Sequence, residues 1–153
     1  MENMVSFDWA GVSAEAVLFC GAILVVLFES LFPKRAWAVA GFAVLVMAGS
    51  LVAGSYAAIP ELSFGGTLGT YGEFGYFITV CALLSALLGF GYFAKGAGRK
   101  CEFLAVIMVC AAAMSIFVRS RNLMLSFGAL GCATGCLYVM AVWGRTRAGS
   151  LVA

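Results

Sequence analysis

The chain has 153 residues, of which 64% are hydrophobic and only 10% charged, with a mean hydropathy of +1.08. A soluble domain is roughly half apolar and about a quarter charged, and a small chain leaves much of its surface outside any core. The composition therefore excludes an independent soluble domain and makes the bilayer the solvent, while a net charge of +2 is too small to mark a nucleic-acid partner.

A transmembrane helix needs about 20 mostly apolar residues. The first run spans residues 14–32 and stops at Pro33-Lys34-Arg35. The second, 36–58, ends before Ile59-Pro60. The third covers 74–94, the fourth 103–118 and the fifth 123–143. The fourth is the shortest, and Arg119 and Arg121 follow it at once, with stems long enough to place their charges at the interface. Each Leu, Ile, Val or Phe contributes roughly −0.3 to −0.6 kcal/mol to insertion, so every run is expected to insert unaided. The first run is not read as a cleavable signal peptide, because Glu2, Asp8 and Glu15 precede or open it where such a peptide carries a basic stretch. The expected fold is an all-α integral membrane protein of about five transmembrane helices, residues 1–153 forming a single membrane domain. An interfacial loop at 59–73, containing Gly65-Gly66 and the apolar Phe64, Leu68 and Tyr71, is expected to form a small hairpin or re-entrant turn.

Loop charges set the expected orientation. Lys34 and Arg35, then Lys95, Arg99 and Lys100, then Arg145 and Arg147 all fall on one side of a five-span chain. Basic loops face the cytoplasm or matrix, which places the N-terminus outside and the C-terminus inside. Arg119 and Arg121 dissent, in a very short outer loop.

Few side chains carry chemistry. Histidine is absent, which removes the commonest metal ligand and the usual proton-transfer group near neutral pH. Glu29 is the one ionisable group clearly inside a span and so the proton-relay candidate, since an intramembrane acid is a functional hypothesis by default. Its structural alternative is pairing with Lys34 or Arg35. In the fifth run Gly128, Gly131, Cys132, Gly135 and Cys136 recur at spacings of three and four, a small-residue stripe expected to pack against another helix. Ala40-Gly41, Ala48-Gly49 and Ala53-Gly54 repeat that message in the second run. Five short helices do not cover all these faces, so some neighbours are expected to be other chains. Cys132 and Cys136 lack further ligands for a metal, and all the cysteines except Cys101 lie in apolar runs, where a thiol behaves as a small hydrophobe. No catalytic residue, metal site or cofactor is expected. The aromatic residues at the span ends (Phe74, Tyr76, Phe77; Phe90, Tyr92, Phe93; Tyr138, Trp143) fit an interfacial belt.

The order of these features resembles a known family. An acid near the end of the first run precedes Phe32-Pro33-Lys34-Arg35, and Phe64-Gly65-Gly66 precedes Tyr71-Gly72-Glu73-Phe74. Glu102-Phe103 opens the fourth run, Met114-Ser115 comes before Arg119-Ser120-Arg121-Asn122-Leu123, and the fifth ends Leu137-Tyr138-Val139-Met140-Ala141. Over essentially the whole chain this is similar to the N-terminal part of subunit N of proton-translocating NADH–quinone oxidoreductase, respiratory complex I, itself a relative of Na⁺/H⁺ antiporter subunits. The resemblance implies a membrane-arm subunit without a redox centre, set among other membrane-arm subunits and lipids in a mitochondrial inner or bacterial plasma membrane. Proton movement in that family is associated with inverted repeats containing broken helices, a glutamate in helix five and lysines in later helices. Here Gly131 falls at the glutamate position and Arg121-Asn122 replaces the usual Asn-Asp pair. The chain also stops after the fifth run.

These departures lead to the expectation of a non-catalytic structural subunit that does not move protons alone: one piece of a split subunit whose other half is separately encoded, a degenerate subunit retained as scaffold, or a truncated product. Two other readings stand beside it: a small independent transporter or antiporter-like subunit acting as an oligomer, and a membrane scaffold unrelated to respiration. A transporter needs polar groups at mid-membrane, where the sequence offers Ser50, Thr79, Ser85 and Thr134.

Overall fold

The computed structural model describes residues 12–31, 36–56, 73–93 and 100–148, with side-chain surroundings at 12–31, 38–55, 73–89 and 102–142. The expected interfacial loop at 59–73, apart from Glu73, lies outside the described residues, as do the side chains of Lys34, Arg35 and Trp143. Five helices follow in order: α1 (Ser13–Leu31), α2 (Ala36–Tyr56), α3 (Glu73–Phe93), α4 (Lys100–Arg119) and α5 (Leu123–Ala148). No strand occurs among the described residues. Helices are the form that hydrocarbon enforces on an open chain, because every peptide group must be bonded within its own segment.

Among the described residues four helices are long and apolar enough to cross a membrane, over Ser13–Leu31, Ala38–Ser55, Glu102–Arg119 and Leu123–Val142. The described apolar part of α3, Glu73–Gly89, is shorter. The helices fall within a few residues of the expected runs. The largest departures are at the polar ends: α4 starts at Lys100 rather than 103, and α5 runs on to Ala148 past 143. Backbone hydrogen bonding does not stop where hydropathy does.

The bundle is organised around α4, which packs against α1, α2, α3 and α5. Its inward faces are mostly small: Ala105, Ala111, Ala112 and Ala113 are buried beside Leu104, Ile107 and Met108. Such faces let backbones approach and gain dispersion contacts, the main attraction left when lipid tails are as apolar as the side chains. Leu18, Ala22 and Val25 of α1 and Val39, Ala40, Ala43 and Met47 of α2 complete the core. Phe28 and Phe42 stack across α1 and α2 with ring centroids 5.8 Å apart.

The outer surface is apolar as well. Ile23, Leu31, Leu45, Phe74, Phe77, Leu88, Leu123, Met124, Phe127 and Tyr138 are each more than 60% exposed. In water so large an apolar surface would aggregate; in lipid it is an ordinary boundary. Phe74, Phe77 and Tyr138 thus point outward from their helices as interfacial aromatics do.

The α4–α5 turn is fixed by its own polar groups. The Ser120 N–H donates to the Ile116 carbonyl at 2.9 Å, closing α4. Asn122 then caps α5, its Oδ1 accepting from the Met124 N–H at 3.0 Å, which satisfies one of the donors orphaned at a helix start.

Gly21 marks the tightest crossing. A Cβ there would overlap Val46 Cγ1 of α2 and lie 2.9 Å from Met108 Cε of α4. At Gly49 a Cβ would meet nothing within 4 Å. Gly21→Ala is therefore expected to destabilise the bundle by about 1–3 kcal/mol, the usual effect of overpacking, whereas Gly49→Ala should be neutral or slightly stabilising. Thermal unfolding of both variants in one detergent checks the contrast; an equal effect at the two positions would overturn this account of the crossing.

Candidate functional site

Among the described residues five polar side chains are buried: Glu15, Ser50, Thr79, Ser115 and Arg119. Two of them are satisfied by their own helices. Ser50 Oγ donates to the Met47 carbonyl at 2.7 Å and Thr79 Oγ1 to the Gly75 carbonyl at 2.9 Å. The exposed Ser85 and Thr134 do likewise, to Cys81 and to Leu130 and Gly131. The mid-membrane hydroxyls of the sequence are thus each bonded within a single helix.

Glu15 and Arg119 form an ion pair across α1 and α4, with Arg119 Nη1 donating to Glu15 Oε1 at 2.5 Å. Both side chains are 2% exposed. The helices bring them together because α1 begins where α4 ends: Glu15 lies in the first turn of α1 and Arg119 is the last residue of α4. A carboxylate in a first turn and a guanidinium in a last turn also each oppose the partial charge of their own helix end. Arg119 therefore does not extend outward to the interface, as the sequence suggested; it turns inward. The sequence alone assigns neither residue to a site, although a signal existed. In a five-span chain the N-terminal end of the first helix and the C-terminal end of the fourth lie on one side, and each carries one charge of opposite sign.

Glu29, the proton-relay candidate, is half-buried near the end of α1 and has an interaction partner. It lies two residues from the C-terminal end of α1, whereas the Glu15–Arg119 pair joins the N-terminal end, so the two carboxylates are separated by most of that helix.

The stripe on α5 divides. Ala129 and Ala133 are the buried small residues that meet α4, while Gly128, Gly131 and Gly135 have nothing within 4 Å of a Cβ position. Cys132 is exposed and Cys136 half-buried. Any helix packed on those glycines comes from outside the described residues. α5 packs chiefly on α4, and only 11% of its span is buried against 56% for that of α4. It lies between two apolar grooves. One, of about 520 Å³, runs along Ala22, Val26, Ala105, Val109 and Cys136; the other, of about 270 Å³, along Ile78, Ser85, Ile107, Cys110 and Met140.

Among the described residues no three His, Cys, Asp or Glu side chains come together as metal ligands. Cys20, Cys81, Cys110, Cys132 and Cys136 are all free. Cys110 Sγ points at the Ala133 carbonyl, 4.0 Å away across α4 and α5.

Compared with protein-family models, with curated proteins and with solved structures, the chain matches none.

Two predictions follow from this geometry. Removing one partner of a buried pair strands the other charge, so Arg119→Met alone should destabilise the bundle by about 3–5 kcal/mol, while Glu15→Leu/Arg119→Met should recover most of the loss. Unfolding in detergent checks this, and a double variant no better than the worse single one would overturn it. Gly131→Glu places a carboxylate on the uncovered face of α5 near mid-span. The expected cost is about 2.5–3.5 kcal/mol on the insertion scale, read as reduced membrane accumulation; unchanged accumulation would show that this face meets a polar environment.

Proposed function

We propose that this chain is a non-catalytic membrane subunit that packs among further transmembrane helices, in an assembly of the complex I membrane-arm type. The observation that carries the reading is the position of α5. It is an apolar helix long enough to span, yet it packs chiefly on one helix of its own chain and presents open glycines on its uncovered side. Lipid gains little from a glycine face, whereas a neighbouring helix gains close backbone approach. The order of features that resembles subunit N supports an assembly of this type, and Gly131 at that family's glutamate position supports a structural role. The hydroxyls of Ser50, Ser85 and Thr134, which donate to carbonyls of their own helices, favour this over an independent transporter, which needs polar groups that meet across helices at mid-membrane.

The orientation belongs to the same proposal, N-terminus outside and C-terminus on the cytoplasmic or matrix side. The Glu15–Arg119 pair supports it: with Arg119 neutralised, Arg121 alone opposes the seven basic residues of the other side. The membrane is then a bacterial plasma membrane or a mitochondrial inner membrane.

Mild-detergent extraction, native gel separation and mass spectrometry of co-migrating chains test the assignment. The expected result is co-migration with a large NADH-oxidising assembly. Migration as a small homo-oligomer without respiratory partners would overturn it in favour of the independent membrane subunit.

A further inference from the structure

The three buried polar side chains that their own helices do not satisfy lie on two packed helices, Glu15 on α1 and Ser115 and Arg119 on α4. Two of their atoms are buried without a hydrogen-bond partner, Glu15 Oε2 and Ser115 Oγ. Ser115 is unusual here. Thr79, Ser85 and Thr134 all donate to the carbonyl four residues back, whereas the Ser115 hydroxyl makes no such bond to the Ala111 carbonyl. Buried polar atoms are nearly always bonded to protein or to internal water, and leaving a charged one open is the more costly case.

The placement of the open atoms is complementary. Ser115 and Arg119 are four residues apart and so lie on one face of α4, a turn from each other. Long helical side chains lean toward the helix N-terminus, which from Arg119 is the direction of the Ser115 turn, and the Arg119 guanidinium holds Glu15 Oε1. Glu15 Oε2 is the other oxygen of the carboxylate that Arg119 holds. It only accepts hydrogen bonds, whereas a hydroxyl both donates and accepts.

We propose that Glu15, Ser115 and Arg119 form a binding site for one water molecule between α1 and α4. The water donates to Glu15 Oε2 and accepts from the Ser115 hydroxyl, giving both open atoms a partner and leaving its second proton for a nearby carbonyl. Internal waters typically make about three such bonds. The site keeps the carboxylate hydrated on one oxygen and ion-paired on the other at the end of the span, so Ser115 acts through the water to position Glu15.

The test is the sign of Ser115→Ala. If the hydroxyl were simply an unsatisfied buried group, removing it would raise the melting temperature of the full chain in lipid nanodiscs. With a shared water, Ser115→Ala lowers it by about 2–4 °C, and the loss disappears in the Glu15→Leu/Arg119→Met background, where no carboxylate remains. A rise, no change, or the same loss in both backgrounds overturns the proposal. Should the double variant fail to fold, a high-resolution map of the wild-type chain decides. An ordered-water peak within hydrogen-bond distance of both oxygens supports the site, and a Ser115 hydroxyl bonded to the Ala111 carbonyl overturns it.

Discussion

Close packing against α4 is the constraint on which the rest of the bundle depends. In lipid there is no hydrophobic force to press one apolar helix on another, so helices associate where shape lets their backbones come near. α4 offers that shape on several sides through its buried alanines, and α1, α2, α3 and α5 each take one of them. Gly21 serves the same end from α1, allowing Val46 and Met108 to meet where any side chain would intrude.

The Glu15–Arg119 pair adds register to that packing. Dispersion between apolar helices tolerates sliding, whereas a charge pair enclosed at 2% exposure has one position in which neither group is stranded. It joins the start of α1 to the end of α4 and lies beside the Asn122-capped turn into α5. The lipid-facing sides, lined by Leu, Ile and Phe, specify little beyond depth in the membrane.

Function is legible here mainly as a distribution of surfaces. The inner faces of α1, α2 and α4 are used within the chain, and most of α5 is not. The glycines at 128, 131 and 135 lie on that unused side. A helix of this kind belongs naturally to a larger set of membrane helices, and the proposed membrane-arm role gives it one.

By itself the sequence determined the class of the protein and the position of its helices, because hydropathy is a local quantity and hydrocarbon permits an open chain only one backbone form. It also showed the small-residue stripe of α5, although not that α4 meets Ala129 and Ala133 beside that stripe, one residue round the helix from the glycines. Helix ends were less legible, since α4 and α5 continue into charged residues where hydropathy has already fallen. Glu15 and Arg119 were hidden for a different reason. Each lies at the edge of its run, where a charge ordinarily faces headgroup water, and 104 residues separate them. Only the tertiary structure decided that both turn inward, because the cost of burying either charge depends on whether the other is within reach.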